Sequence, residues 1–367
     1  MILRNWRHFD FILLGAMLLL IIFSIAMIDS AIAGNIELIE NNTVRRQIVF
    51  AFSGFLILLF VTLVDYHIWP TLGRVMYFIT LLFLLLILLG GQTSFGAQRW
   101  IDLGVAVVQP SELAKISVLL MLADFLGRNK NRINDWGTIL RSLGILLGLM
   151  ALVFIQPDLS TSLVLMVIWA ALLFASGLTI QYMAVFGLAG LIAPIAGYPF
   201  LQAYQQQRII NFLFPNPDAR FGEEYNITQA KISIGSGGWL GKGYGQGSQV
   251  QLRFLKVRHT DFIFSAISEE FGFVGALVIM ILLLVIIWRI LRAGRLAHDA
   301  YGALICYGAA AMLFFQIAVN IGMNLNLMPV TGLPLPFVSQ GGSSLVALMI
   351  IIGLVESVVA RHVRLEF

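Results

Sequence analysis

The stretch Arg258-His259-Thr260-Asp261-Phe262-Ile263-Phe264 decides how this chain is read. Upstream, from Leu201 to Asp261, the sequence is too polar and glycine-rich to lie in lipid; downstream, from Phe262, an apolar run begins. Asp261 therefore stands at the lip of a membrane helix, beside a cation (Arg258) and an imidazole (His259). A carboxylate so placed can act on a head group whose tail stays in the bilayer. That points to chemistry on a lipid-linked molecule rather than passage of a solute.

The rest of the chain supplies the membrane. Of 367 residues, 59% are hydrophobic and 11% charged, against about 25% charged in a soluble domain; mean hydropathy is +0.90. Apolar runs long enough to cross a hydrocarbon core of roughly 30 Å occur near 9–29, 47–64, 72–90, 111–126, 138–155, 160–176, 180–200, 262–288, 300–325 and 341–360. Nothing alternates like barrel strands, and backbone groups in lipid need internal partners, so the spans are helices. The expected fold is all-α and polytopic, with about ten transmembrane helices. It forms a single integral domain over 1–367, with 201–261 as an extracytoplasmic segment of short amphipathic helices between spans seven and eight. Arg4 and Arg7 precede an apolar stretch too long for a signal peptide's core, which reads as the first span. Cys306, the single cysteine, sits in an apolar run and excludes disulfides.

Short loops set the orientation. Arg4 and Arg7, then Arg128, Lys130, Arg132 and Arg141, then Arg289, Arg292 and Arg295, then Arg361 and Arg364 fall on one side of a ten-span chain. Basic short loops mark the cytoplasm, so both termini are expected inside and 201–261 outside. That outer segment carries seven basic residues against four acidic, a formal charge of +3, which asks for an anionic partner such as a phosphate. Residues 201–214 read as an interfacial amphipathic helix, stopped by Pro215 and Pro217. A second short helix fits 225–234, and seven glycines between Gly235 and Gly247 make a tight loop. A nucleotide P-loop ending at Gly241-Lys242 fails, because Ser236 and Gly243 stand where Gly and Ser or Thr are needed.

Charges at membrane depth cost about 2.5–3.5 kcal/mol each on insertion scales, which makes them functional candidates. Glu112 and Lys115 share a helical face after Gln109-Pro110-Ser111, as an ion pair seating the helix or as cavity lining. Asp158, after Gln156-Pro157, is a helix N-cap, a cavity residue, or both. Arg99 is a solvated loop residue or a phosphate ligand. Arg45 and Arg46 open span two, where interfacial anchoring accounts for at least one. Thr260 and Asp261 are caps or chemistry; of Glu269 and Glu270, at least one lines a cavity or pairs. His259 is a proton carrier, a ligand or an interfacial residue. Scattered histidines give no zinc constellation, so any metal would be a hard ion held by carboxylates and substrate phosphates. Three prolines in 328–344 describe a re-entrant loop or a rigid turn, and Asn320, Asn324 and Asn326 before it argue for a polar interior.

Together these motifs resemble the shape, elongation, division and sporulation (SEDS) family, the membrane glycosyltransferases that include RodA, FtsW and SpoVE. The resemblance rests on Gly96-Ala97-Gln98-Arg99-Trp100, Gln109-Pro110-Ser111-Glu112-Leu113-Ala114-Lys115, Gln156-Pro157-Asp158-Leu159, Tyr204-Gln205 with Arg208, and Gly235-Ser236-Gly237-Gly238. Most specific are Arg258 to Phe264, and Gly332-Leu333-Pro334-Leu335-Pro336-Phe337 with the serine-glycine turn after it. Arg258 before His-Thr-Asp, and Gly243 to Gln249, fit the RodA-like elongation branch. Two positions depart from the family pattern: Ser160 replaces Gly, and Gln340 replaces Tyr.

The resemblance implies a polymerase of peptidoglycan strands from lipid II, with Asp261 as the essential aspartate. It implies Glu112, Lys115, Asp158, Arg208, Arg99, His259 and Ser343 as substrate-binding residues in the outer cavity. A divalent cation (Mg²⁺ or Mn²⁺) is expected beside the leaving diphosphate, without an organic cofactor. The implied partners are a class B penicillin-binding protein and other elongation-complex membrane proteins, with no nucleic acid, and the expected location is the bacterial cytoplasmic membrane. The rival readings are a precursor flippase, which broken helices or inverted repeats would favour, and a scaffold for a separate synthase. The sequence displays neither broken helices nor inverted repeats.

Overall fold

The computed structural model describes residues 9–33, 36–40, 42–90, 92–94, 97–102, 107–215, 222–255 and 258–361. Each of the ten apolar runs folds as a helix: α1 (Phe11–Ile32), α3 (Thr43–Leu63), α4 (Trp69–Gly90), α5 (Pro110–Arg128), α6 (Trp136–Ile155), α7 (Leu159–Ala175), α8 (Ile180–Gly197), α12 (Ile263–Leu296), α13 (Ala300–Asn324) and α14 (Gly342–Val359). A short α2 (Ile36–Glu40) precedes α3. Among the described residues, seven helices are long and apolar enough to cross a membrane; α7 is shorter, as is the apolar part of α8, and α5 carries Glu112, Lys115, Asp124 and Arg128. The protein is a membrane protein.

The charges on α5 decide where it sits. Glu112, Lys115 and Asp124 are all buried, along with most of the apolar residues between them, so α5 lies inside the bundle, packed on α4, α6, α7 and α13. Helices α13 and α14 are likewise mostly covered by protein. By contrast, α4 exposes Val75, Phe78, Leu82, Leu86 and Leu89, a stripe at helical spacing that suits lipid. Between α4 and α5 runs a small antiparallel ribbon, β1 (Gln92–Ser94), β2 (Ala97–Asp102) and β3 (Val107–Val108). The sequence reading had no ribbon there.

The polar segment folds largely as its composition predicts, into α9 (Ala203–Leu213), α10 (Gly222–Ser236), a glycine loop, and a single turn α11 (Ser248–Gln251). Gln202 and Gln205 form a capping box at the start of α9.

The loop's role was not readable from sequence. Helix α12 is broken at Gly272, whose backbone (φ 66°, ψ −163°) is one that essentially only glycine adopts. A break leaves carbonyls before it and N–H groups after it without partners. Here the glycine loop supplies both. Phe273 and Val274 donate to the carbonyls of Gly238 and Trp239 at 2.8 and 3.1 Å, while the N–H groups of Lys242 and Gly243 donate to the carbonyls of Glu269 and Glu270 at 3.0 and 2.9 Å. So close an approach excludes side chains: a Cβ on Gly237 would sit 1.9 Å from the Ser268 carbonyl oxygen, and one on Gly241 2.2 Å from that of Glu270.

Gly272→Ala is therefore expected to destabilise the protein by about 1–3 kcal/mol through backbone strain alone, although alanine ordinarily favours a helix. Gly15→Ala, where an added Cβ meets nothing within 4 Å, serves as the helix-interior control and is expected to hold or raise the midpoint. Thermal unfolding in detergent measures both, and equal midpoints would contradict the break.

Candidate active site

The peptide of Asp261 is held from α13. Its carbonyl accepts from the Nδ2 of Asn320 at 3.2 Å and of Asn324 at 3.0 Å. Asn324 Oδ1 in turn receives the N–H and hydroxyl of Ser265, in the first turn of α12, and Asn320 also donates to the Leu333 carbonyl at 2.8 Å. Both asparagines are fully buried. The polar interior they predicted is a bracket that fixes the start of α12 against the loop between α13 and α14.

That loop is covered by protein, as irregular backbone at membrane depth requires: Val330, Leu333, Leu335, Phe337, Val338 and Ser339 are buried. It wraps the Arg258–Asp261 turn. Ser339 Oγ donates to the Thr260 carbonyl at 2.7 Å, and the Gln340 N–H donates to that of His259 at 3.0 Å. At Gly332 (φ 76°) the loop turns past the carboxylate, where a Cβ would lie 3.9 Å from Asp261 Oδ2.

The Asp261 side chain itself is half-buried and does not cap α12, whose N-cap is Phe262. Burial pushes its pKa up to about 6; the Arg208 guanidinium pulls it down, Glu223 pushes it up, and a hydrogen bond with Thr260 pulls it down. Arg208 reaches this region from α9, ion-paired to Glu223 of α10 at 2.8 Å and stacked 5.5 Å from the Tyr204 ring. Glu223 has no signal in the sequence, because it meets Arg208 from a different helix.

The two residues that stand beside Asp261 in the sequence have distinct surroundings. Arg258 does not serve as its cation: the buried guanidinium donates to the carbonyls of Ala31, at the end of α1, and Leu255. The imidazole of His259 is driven down to about 4 by burial and by Arg258, so it is neutral at physiological pH.

A second cluster lies at the N-terminal ends of α5 and α7. Asp158 caps α7 by accepting the Thr161 N–H at 3.1 Å, and also receives Thr161 Oγ1 at 2.9 Å and Ser111 Oγ and Gln109 Nε2 at 3.2 Å each. It is both cap and cross-link. Lys115 and Glu112 form a buried pair at 2.7 Å. Helix α9 reaches this cluster too, since Tyr204 Oη donates to the Pro157 carbonyl at 2.6 Å. Ser160, at the departure from the family pattern, donates to the Thr331 carbonyl, one residue from the Gly332 that faces Asp261.

The two clusters are thus joined through α9 and through the α13–α14 loop, with no direct bond between them among the described residues. Ser343 lies apart, in the first turn of α14, which packs on α3. Arg99 falls on β2, and its side chain lies outside the described residues. Glu269 is paired with Lys242 at 2.7 Å and receives the N–H groups of Gln249 and Val250; Glu270 accepts from Ser30. Among the described residues no group of three or more His, Cys, Asp or Glu could hold a metal. Asp261 and the Arg208-bound Glu223, which acts on its charge, are the carboxylates at this point, and Mg²⁺ is usually held by one or two carboxylates together with substrate phosphates and waters.

This architecture defines a polytopic membrane protein organised around a carboxylate at the mouth of a broken helix. The chain belongs to the FtsW/RodA/SpoVE family, whose model, described as "Cell cycle protein", matches residues 8–364. It is 38% identical over 356 residues to the peptidoglycan glycosyltransferase MrdB of Escherichia coli (strain K12), covering 96% of this chain and 93% of that one. It is 33% identical over 361 residues to stage V sporulation protein E of Bacillus subtilis (strain 168), covering 97% and 98%. The rod shape determining protein RodA of Thermus thermophilus superposes with a TM-score of 0.72 at 30% identity, covering 97% of this chain and 98% of that one. A chain of a peptidoglycan synthase complex, solved for its structural coordination of polymerization and crosslinking, gives 0.82 at 30% identity, covering 96% and 98%.

Removing one member of a buried ion pair typically costs 3–5 kcal/mol, because the other charge is left uncompensated. Lys115→Met is expected to lower the thermal midpoint more than Lys115→Met combined with Glu112→Leu, even though the double variant removes more polar contacts. A double variant less stable than the single would show that Glu112 has a further partner.

Proposed function

We propose that this chain is a peptidoglycan glycosyltransferase that polymerises lipid II during cell elongation, with Asp261 as general base. The observation that carries the reading is the Asp261 carboxyl itself: half-buried, drawn toward protonation near pH 6, and flanked by Arg208. A base works best when its pKa lies near the working pH. The names of MrdB and of the synthase complex support the same reaction class.

In the proposed step an acceptor sugar hydroxyl gives its proton to Asp261 as its oxygen bonds to the donor's anomeric carbon. The carbon–oxygen bond to the polyprenyl diphosphate breaks on the opposite face, which inverts the centre and leaves the electron pair on the diphosphate. Arg208 stabilises that growing charge. Lys115 and Asp158 shape the cavity, and neutral His259 acts by hydrogen bonding. A divalent cation, entering with the diphosphate, would neutralise leaving-group charge. The segment 201–261 faces the outside of the bacterial cytoplasmic membrane, with both termini in the cytoplasm, and a class B penicillin-binding protein crosslinks the product.

One observation favours the flippase, namely the broken helix at Gly272. The glycine loop already engages the backbone groups of that break, so they are not free to hold a head group, and the transferase is the better reading.

Asp261→Asn is expected to lower chain growth from purified lipid-linked substrate by about 10²–10⁴-fold in detergent; unchanged growth would refute the assignment. In the parent protein the carboxylate form is required, so the rate rises with pH through about 6 and then levels. Arg208 pulls the Asp261 pKa down, so Arg208→Ala moves this acid limb upward. A limb that moves down or stays put would remove Arg208 from the site.

A further inference from the structure

Helix α12 has 34 residues, about 51 Å at 1.5 Å per residue, far more than a hydrocarbon core of roughly 30 Å requires. The ionisable residues show which part meets lipid. Glu269 and Glu270 precede the break, and Arg289 follows Trp288, with no ionisable residue from Phe273 to Trp288. Phe273, Leu277, Ile281, Leu284 and Trp288 form one exposed stripe along that stretch. The lipid-facing part of α12 therefore begins at Phe273, directly after the break.

The tip of the glycine loop is fixed at that same depth. The Gly238 and Trp239 carbonyls are bonded to the N–H groups of Phe273 and Val274, and the Trp239 ring meets the Phe273 ring edge-on at 5.3 Å. Gly238 and Gly241, both at positive φ, turn the chain tightly around Trp239 and Leu240. Those two side chains point away from the protein, 74% and 80% exposed. They extend the apolar stripe of α12 by one more step at its upper end. Entry of a loop into the membrane boundary is normally opposed by unsatisfied backbone groups, but here the break in α12 satisfies them. The nearby charge of Lys242 is paired with Glu269.

We infer that Trp239 and Leu240 insert into the bilayer interface as an anchor that fixes the depth of the broken helix. Tryptophan is enriched at that boundary, and the occupant is lipid because the tip continues the lipid-facing surface of a membrane span. The anchor and the clamp on Glu269 belong to one loop. Membrane contact therefore holds the outer piece of α12, with Asp261 just before it, at a set height above the hydrocarbon.

The test is spin labelling in vesicles of phosphatidylcholine and phosphatidylglycerol. Starting from full-length Cys306→Ser protein, a nitroxide is placed by Leu240→Cys, by Leu277→Cys as the lipid reference, and by Lys130→Cys as the exposed loop reference. Collision with oxygen is then compared with collision with a water-soluble nickel chelate. At Leu240→Cys, oxygen is expected to exceed nickel several-fold, as at Leu277→Cys, and the same ordering is expected for a label at Trp239→Cys. Nickel access equal to that at Lys130→Cys overturns the inference, and shielding from both reagents overturns it in favour of a protein cover such as a second copy. No catalytic activity is read, so the outcome is independent of the polymerase proposal.

Discussion

The exchange of backbone hydrogen bonds between the glycine loop and the break at Gly272 is the constraint on which this structure turns. Two N–H groups beyond the break and two carbonyls before it find partners in residues 238–243. Each buried polar group left without a partner costs about 1–3 kcal/mol, so neither the break nor the loop is stable alone. Together they hold the outer turns of α12 as a unit fixed to the polar segment. Asp261, just ahead of that unit, is located by it below and by the Asn320–Asn324 bracket beside it. Gly237, Gly241 and Gly272 belong to one contact, in which any side chain would collide with backbone.

The carboxylates near this face are separated by their partners. Asp158 receives four donors and Glu269 is met by Lys242, Ser248 and two backbone N–H groups. Carboxylates engaged by so many donors tie the segments around them together. Asp261 has burial working against its charge, with Arg208 and then Thr260 offsetting it and Glu223 adding to it. The same physical difference makes one carboxylate a strut and the other a group able to exchange a proton near neutral pH.

Much of this was legible before any coordinates. Apolar runs of about 20 residues encode helices, because lipid leaves the backbone no other choice, and all ten runs fold so. The end of α9 follows from Pro215, and the cap at Asp158 from an acidic residue ahead of an apolar run. The break did not show, since Gly272 in an apolar run looks like any glycine of a membrane helix, and its partner loop lies some thirty positions earlier. The partners of Arg258 did not show for a related reason: it stands next to Asp261 in sequence, but the carbonyls of Ala31, at the end of α1, and Leu255 hold its guanidinium. The Arg208–Glu223 pair that does act on Asp261 joins residues of two separate helices, α9 and α10, which no local pattern specifies.

Ser160 and Gln340, the two departures from the family pattern, both fall where the α13–α14 loop is fastened. Ser160 Oγ donates to the Thr331 carbonyl, and the Gln340 N–H to that of His259. The first adds a side-chain bond that glycine cannot make; the second uses main chain and is indifferent to the residue type. Ser160 therefore tightens the link between the Asp158 cap and the Gly332 turn that passes Asp261, whereas Gln340 leaves its own link unchanged. A loop tied at both ends to helices that also carry the charged clusters keeps those clusters at a fixed separation. Two reacting groups brought to separate clusters can meet only if that separation is held, and here the holding is done by backbone carbonyls rather than by the charged side chains themselves.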